Sequence, residues 1–468
     1  ACGSAFGGST LAVARTFSFI GGEAGHTDVI FNSNKSWGAF DDSLSQHPGT
    51  ADLRRVAVHE LGHVMGLNHP YHSDAIMYFA SQDVTTPQID DLGGIRVRYG
   101  LMKFLLADDY SGNGKQELVV IRTLSDRSID VEVRDVDGGV LKRRGFLSSD
   151  FTPLDAAMLP DLDGNGFPEL AILAIRNSDR RAVVEIRNLG GSSSPRLVWF
   201  AKDAYPLRMI SVSDADSNGV AELAVLLVRD SDDRVFVEVK NAFGPTLPST
   251  IWYMKFATAL DMTVVNDGDS NGVPEIAVLL SRWSDGRGVV DIRNTTSPTN
   301  PNLVWAAKDT TPMHVVTVDD ADSNGKPEVA IHSVRNSDLR NLVEVKNTHG
   351  ATQPNTLWFA PGHTVQALTV AEDADGNGTR EVGVMSRRNS DGRVLVELKN
   401  AAGPTNPVSR WFSPGFSPIP VLNFSDDLDE NTEIEATVML FRTNDGRITI
   451  EQRNVIGATD TNNTWITP

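Results

Sequence analysis

Hydrophobic and polar positions recur with a fixed period from residue 101 to the end of the chain. An acidic loop of the form Asp-x-Asp-x-Asn-Gly returns every 52 or 53 residues, with full copies at 161, 214, 267, 320 and 373 and weaker copies at 109 and 427. In each unit, apolar stretches flank the loop, and then come a turn, an alternating stretch such as "VFVEVK" and a stretch with one aromatic residue. This order predicts four short β-strands in each of seven units.

The polarity of these strands predicts how the units pack. The stretch "LAVLLV" is apolar throughout and is expected to be covered on both faces, whereas "VFVEVK" alternates and is expected to have a wetter face. A four-stranded sheet between two similar neighbours is a propeller blade, and seven blades close a ring without a long free edge. We therefore expect an all-β seven-bladed propeller over residues 101–468. The pattern leaves open whether the ring closes through a shared blade.

One aromatic residue per unit keeps the same period. Packing between blades is the favoured interpretation, because a residue repeated once per blade packs against neighbouring blades more often than it binds a ligand. Stacking on a sugar ring is the alternative. The aromatic residues are Phe146, Trp199, Trp252, Trp305, Trp358, Trp411 and Trp465.

The acidic loops collect hard oxygen ligands around a sharp turn. Asp at positions 1 and 3, Asn at 5, Gly at 6 and Glu at 9 suit Ca²⁺ and are similar to the start of an EF-hand loop, although a strand follows here. A plain polar turn is the alternative, and five full copies in register argue against it. The predicted calcium ligands are Asp161, Asp163, Asn165, Glu169, Asp214, Asp216, Asn218, Glu222, Asp267, Asp269, Asn271, Glu275, Asp320, Asp322, Asn324, Glu328, Asp373, Asp375, Asn377 and Glu381.

The units resemble the FG-GAP repeats of integrin-type seven-bladed propellers. This resemblance covers residues 101–468 and implies structural Ca²⁺ in the loops. Bound Ca²⁺ would then supply stabilisation that disulfides cannot, since Cys2 is the single cysteine of the chain.

Residues 56–70, "VAVHELGHVMGLNHP", follow a different pattern, with helical spacing of apolar residues. Thr50 is expected to cap the helix N-terminus, with Asp52 in the first turn. His59 and His63 are four residues apart and so project from one helix face. Two imidazoles placed in this way can hold one metal ion.

The residues after the helix complete a possible zinc site. Gly66 is expected to end the helix in a left-handed turn that brings His69 back as a third ligand. Three neutral imidazoles leave the fourth position of Zn²⁺ for water, as in catalytic sites, and Glu60 is the natural base for that water. The alternative is a set of ordinary core or surface histidines. The register of Gly66 and His69 makes this alternative improbable.

The same stretch resembles the signature of metzincin zinc peptidases, and "SDAIMY" resembles their Met-turn, with Met77 supporting the site without binding the metal. Among metzincins, matrixins are the most similar. "GGSTLAVARTF" resembles their edge strand beside the cleft, "DVIFNSNKSW" the next strand, and "PQIDDLGGIRVRYG" their closing helix. The resemblance implies an α+β zinc peptidase domain over residues 1–100.

Two features depart from matrixins. Pro70 stands where they usually carry a small hydroxyl residue. The 58 residues before His59 are fewer than matrixins use for their opening strand, helix and strand, so we expect the domain to be truncated at its N-terminal side.

Charge and composition limit the partners. With 42 Lys and Arg against 61 Asp and Glu, the formal net charge is −19, and there is no Lys/Arg-rich run to attract nucleic acid. No apolar run is long enough to be a membrane helix. The chain opens on Ala and shows no signal peptide, so a mature form or a fragment is expected.

These features together predict a secreted zinc-dependent endopeptidase that hydrolyses peptide bonds of protein or peptide substrates by metal-activated water. The propeller would bind the substrate, or a cell-surface or matrix ligand. The alternative is a calcium-dependent adhesion or binding protein with a vestigial peptidase head.

Overall fold

The structure is a computed structural model that separates into two compact units, Ala1–Gly100 and Leu101–Pro468. Cys2, Gly66, Pro70, the segment 87–99 and the loop copy at 427 lie outside the described residues. The described residues are 10–18, 24–40, 44–65, 67, 69, 76–77, 100–109, 111–124, 128–135, 139–148, 150–190, 194–244, 249–296, 301–350, 355–403, 407–425, 433–442, 447–456 and 461–466.

The described residues of the first unit form two small sheets and one α-helix. One sheet is antiparallel and the other parallel; they consist of β1 (Ala12–Ser18) with β2 (Ala24–Phe31), and β3 (Ser36–Gly38) with β4 (Thr50–Asp52). A 3₁₀ turn covers Leu44–Gln46, and helix α1 covers Leu53–Val64. No helix in the described parts of the chain has the length and apolar character needed to cross a membrane.

The helix begins later than the sequence predicted, because Asp52 and not Thr50 is its N-cap. Thr50 is held in β4 by pairing with β3. The Asp52 carboxylate accepts hydrogen bonds from the backbone N–H of Arg54, at 2.9 Å, and of Arg55, at 3.4 Å. Asp52 is fully buried and also forms an ion pair with the Arg55 guanidinium. A carboxylate at this position satisfies N–H groups that have no partner within the helix.

The second unit consists of seven antiparallel sheets, each made of four consecutive strands, which confirms the predicted seven-bladed propeller. Blades 1 to 3 are β5–β8 (Met102–Ala107, Glu117–Thr123, Ile129–Arg134, Val140–Phe146), β9–β12 (Phe151–Leu159, Glu169–Arg176, Ala182–Asn188, Arg196–Trp199) and β13–β16 (Ala204–Val212, Glu222–Arg229, Val235–Asn241, Ser249–Trp252). Blades 4 and 5 are β17–β20 (Ala257–Val265, Glu275–Arg282, Gly288–Asn294, Asn302–Trp305) and β21–β24 (Thr310–Val318, Glu328–Arg335, Asn341–Asn347, Asn355–Trp358). Blades 6 and 7 are β25–β28 (His363–Ala371, Glu381–Arg388, Val394–Asn400, Val408–Trp411) and β29–β32 (Phe416–Ser425, Glu435–Arg442, Ile448–Asn454, Thr461–Ile466).

The ring closes by packing of the first blade on the last. Phe104 and Leu118 of blade 1 share an apolar cluster with Met439 and Ile450 of blade 7. Each sheet within the described ranges is built from one uninterrupted run of strands, so no strand is exchanged at the closure. This answers the question that the sequence left open.

The third strand of each blade is less exposed than its alternating pattern predicted. In blades 2 to 7, its acidic side chain does not face water, because it accepts a hydrogen bond from a backbone N–H just after the outer strand of the preceding blade. We call these side chains the junction carboxylates. With their donors they are Glu185 (Leu147), Glu238 (Ala201), Asp291 (Met254), Glu344 (Ala307), Glu397 (Ala360) and Glu451 (Ser413).

The tryptophans contact arginines of their own blade. In blade 4, the guanidinium carbons of Arg282 and Arg287 lie 4.9 and 5.0 Å from the ring centroid of Trp305. Trp199 and Trp252 also pack against apolar clusters that join neighbouring blades. These contacts give the repeated aromatic residue a role in packing.

Candidate metal centres

Three histidines of the first unit converge on one point. His59 and His63 project from α1, and His69 follows the helix. The Nε2 atom of His69 lies 3.1 Å from the Nε2 of His59 and 3.1 Å from the Nε2 of His63. The structure thus brings the three predicted zinc ligands together.

Backbone carbonyls fix which nitrogen of two of these rings carries the proton. His59 Nδ1 lies 2.8 Å from the Ile76 carbonyl oxygen, and His63 Nδ1 lies 2.9 Å from that of Leu67. A carbonyl only accepts, so both Nδ1 atoms donate, and the Nε2 lone pairs of the neutral rings point at the common centre. Burial lowers the pKa of His69, and the charges of His63 and His59 add to this effect. Lone pairs directed at one another repel unless a cation lies between them, so the donor set fits Zn²⁺.

Met77 lies directly against the helix that carries the ligands. It is 2 % exposed and shares a small apolar cluster with Leu67 and Ile76. A Cβ atom placed on Gly62 would lie only 2.0 Å from the Met77 sulfur. The glycine between the two helical histidines is therefore what allows Met77 to approach.

Glu60 is a buried carboxylate beside these histidines. It is 5 % exposed, and its Oε2 atom has no hydrogen-bond partner. Burial raises the pKa of Glu60, while the charge of His63 and a hydrogen bond from the Ala14 backbone lower it. Such a group is suited to accepting and returning a proton.

In the propeller, the first aspartate of each full loop shapes the turn. In blade 3, Asp214 accepts the backbone N–H of Asn218 at 2.7 Å and that of Gly219 at 2.9 Å. Asn218 Oδ1 in turn accepts the N–H of Val220 at 2.8 Å. The same bonds recur in the loops that start at 161, 320 and 373. The loop conformation is therefore set by hydrogen bonds from its backbone N–H groups to its own aspartate and asparagine side chains.

The glutamate at position 9 faces this turn. Oxygen atoms of Asp214, Asp216 and Glu222 lie within 4.8 Å of one another. Glu222 is 3 % exposed; its Oε2 accepts the N–H of Ala215 at 2.7 Å, whereas its Oε1 has no hydrogen-bond partner. Burial, then the nearby Asp216 and Asp214, raise the pKa of Glu222 to about 7. Unshared acceptors and crowded negative charge fit a divalent cation.

The other full loops are similar with one exception. Three carboxylates cluster in the same way at Asp161, Asp163 and Glu169, and at Asp320, Asp322 and Glu328. Burial, and then the charges of Asp375 and Asp373, raise the pKa of Glu381 to about 7. In the loop that starts at Asp267, the cluster instead consists of Asp269, Glu275 and a histidine from the next blade, His349.

Several of these features were missed in the sequence. The role of Asp52 is visible only once β4 is known, and the junction carboxylates were interpreted as a solvent-facing side. His349 could have been singled out from the sequence, since no other repeat has histidine at that position.

Comparison with known proteins gives a family match over the first unit and matches to solved structures with TM-scores below 0.5. Residues 2–100 match the Matrixin model of the M10 peptidases. Metalloendoproteinase 1 of Glycine max is 40 % identical over 97 residues, covering 18 % of this chain and 31 % of that protein. Metalloendoproteinase 4-MMP of Arabidopsis thaliana is 36 % identical over 121 residues, covering 24 % and 33 %. The chain thus spans about a third of the length of each relative.

Solved structures that match the chain include the Dos1 propeller, with a TM-score of 0.44, 13 % identity, and coverage of 74 % of this chain and 77 % of that one. Prolyl oligopeptidase B from Galerina marginata has a TM-score of 0.46 and 11 % identity, covering 78 % and 51 %. At its N-terminus the chain is thus similar to metallopeptidases.

Proposed function

We propose that the protein is a secreted zinc-dependent endopeptidase in which His59, His63 and His69 hold the metal. The observation that carries the proposal is the convergence of three Nε2 atoms, with His69 3.1 Å from both of the others. The similarity of residues 2–100 to matrixins supports it. The Asp-rich loops of the propeller would hold Ca²⁺.

The chain's own groups have distinct roles in this proposal. When bound, Zn²⁺ lowers the pKa of a coordinated water and polarises the substrate carbonyl. Glu60 takes the proton of the water and later gives it to the leaving amine. Its burial keeps the carboxylate basic enough for this transfer.

Strand β1 would receive an extended substrate. Within the described residues, β1 pairs only with β2, so its other edge is available for backbone hydrogen bonds. The Ala14 backbone bonds to Glu60, which places this strand beside the candidate base. Specificity would then come from side-chain pockets along the strand.

In the propeller, each occupied loop would add stability. At a Ca²⁺ concentration ten times the dissociation constant, binding to the folded state contributes about 1.4 kcal/mol per site. The unpartnered Oε1 atoms of Glu222, Glu328 and Glu381 support this proposal.

Hydrolysis of casein by the zinc-loaded full chain tests the enzymatic proposal. Glu60→Ala is expected to lower kcat by at least about 100-fold while leaving zinc content unchanged, since Glu60 is not a ligand. His63→Ala is expected to lose both the triad zinc and activity. Full activity in Glu60→Ala would contradict the proposed base.

A second candidate is a calcium-dependent binding protein with an inactive head. The share of the chain in the propeller, residues 101–468, favours it. Absence of hydrolysis by folded, zinc-loaded protein, together with calcium-dependent retention on a matrix or cell surface, would support this candidate over the enzyme.

A further inference from the structure

We infer that the loop of blade 4, residues 267–275, binds a transition-metal ion of the Zn²⁺ class through Asp269, Glu275 and His349. This site goes beyond the proposed function, because it belongs to the propeller and replaces Ca²⁺ in this one loop. It is carried by the geometry of one blade junction.

The three ligands come from two blades. Asp269 and Glu275 belong to the loop and second strand of blade 4, and His349 lies between β23 and β24 of blade 5. One ligand atom of each lies within 4.8 Å of the others. Glu275 is 1 % exposed and is held in place by the N–H of Gly268, 2.8 Å from its Oε2. The Nδ1 atom of His349 is buried and has no hydrogen-bond partner.

A change in the repeat makes room for this imidazole. A Cβ atom on Gly268 would lie 2.9 Å from His349 Nδ1 and 2.8 Å from Thr348 Oγ1. The other full loops carry a side chain at the position of Gly268, and the other blades carry no histidine at that of His349. The corresponding residues are Leu162, Ala215, Ala321 and Ala374 for the glycine, and Gly190, Phe243, Thr296, Ala402 and Ile456 for the histidine.

A third change occupies two further oxygen atoms of this loop, which lie outside its four predicted Ca²⁺ ligands. The Lys326 ammonium donates to the Gly268 carbonyl oxygen at 3.1 Å and to Ser270 Oγ at 2.9 Å. Ca²⁺ takes six to eight oxygen ligands, so a loop with two oxygens already bound to a cation is a poor calcium site.

The ligand set suits a smaller ion. An imidazole nitrogen and two carboxylates match the borderline preference of Zn²⁺, and a tetrahedral site would leave one position for water. The Nδ1 atom of His349, which has no hydrogen-bond partner, is the nitrogen that would bind the metal.

Metal content of the full chain, measured by mass spectrometry after dialysis against Zn²⁺ in excess Ca²⁺, tests the inference. The wild type is expected to retain two zinc ions, one in the triad and one in the loop. His349→Thr, which restores the residue of blade 4, is expected to retain one. Gly268→Ala, which restores the residue of the loops at 214 and 320, is also expected to retain one. His363→Ala, a propeller control away from the loop, is expected to retain two.

A His63→Ala background separates this site from the triad. There, one zinc should remain in the loop, and adding His349→Thr should weaken its binding at least about tenfold by calorimetry, with an unchanged circular dichroism spectrum. If the wild type retains one zinc ion and His63→Ala removes it, the inference is overturned. If the wild type retains one zinc ion that is lost in His349→Thr and kept in His63→Ala, the loop site is supported and the triad site is contradicted.

Discussion

Removing the Glu344 carboxylate is expected to destabilise the propeller at the junction of blades 4 and 5. Glu344 is 5 % exposed, and its Oε2 accepts the backbone N–H of Ala307 in the preceding blade at 2.6 Å. Its Oε1 lies 2.8 Å from the ammonium of Lys346, which also donates to the Trp305 carbonyl at 2.7 Å. One side chain therefore satisfies a backbone donor and a nearly buried cation.

The cost follows from what Glu344→Ala leaves behind. A buried N–H without a partner costs about 1–3 kcal/mol. Lys346, 8 % exposed, loses its counter-charge but keeps the Trp305 carbonyl. Removing one partner of a buried ion pair costs about 3–5 kcal/mol. Because Lys346 keeps one acceptor, we take the lower limit of each cost and expect a total loss of about 4 kcal/mol in the free energy of unfolding. Glu344→Gln retains an acceptor for Ala307 but removes the counter-charge of Lys346, so it is expected to cost about 3 kcal/mol, about 1 kcal/mol less than Glu344→Ala.

Urea unfolding followed by tryptophan fluorescence, at saturating Ca²⁺, measures these differences. Glu372→Ala is a matched control, because its carboxylate is 60 % exposed and its ion pair with Arg380 faces solvent; its effect should stay within about 0.5 kcal/mol. Adding Lys346→Met to Glu344→Ala should recover about 1 kcal/mol by removing the isolated charge. If Glu344→Ala unfolds at the same urea concentration as Glu372→Ala, the interpretation of the junction carboxylates is wrong.

Three further predictions concern other parts of the molecule. Burial, with the charge of His314, lowers the pKa of His332 in the folded protein to about 3. The same histidine in the unfolded chain takes up a proton below about pH 6.5. Because the folded protein does not bind this proton, its stability falls as the pH falls below about 6.5. Between pH 7 and 5 this loss in the free energy of unfolding is about 2 kcal/mol. In urea unfolding at several pH values, His332→Leu should reduce the dependence of this free energy on pH, and an unchanged dependence would contradict the prediction. Gly62→Ala should displace Met77 and weaken zinc binding by calorimetry at least about tenfold, whereas unchanged affinity would show that the contact is dispensable. Chelation of Ca²⁺ should lower the melting temperature of the propeller, and an unchanged melting curve would indicate empty loops.

The sequence located the histidine site but could not show how its ligands are oriented. Four-residue spacing on a helix placed His59 and His63 on one face. The proton positions depend on the carbonyls of Ile76 and Leu67, which no spacing reveals. The N-cap was assigned wrongly because Thr50 and Asp52 both have capping side chains, and only pairing with β3 decides between them.

The propeller shows where sequence periodicity stops being informative. Period and strand polarity predicted seven four-stranded blades, because both depend on contacts within one unit. The alternation of polar and apolar residues along the third strand indicates only that one side of the strand is polar. The neighbouring blade covers that side, and its backbone N–H donates to the acidic side chain, as Ala307 does to Glu344. Interactions between blades are therefore encoded as pairs of positions far apart in the sequence, 37 residues in the case of Ala307 and Glu344. Gly268 and His349 are such a pair: each looks like an isolated exception, and only their contact gives both a common explanation.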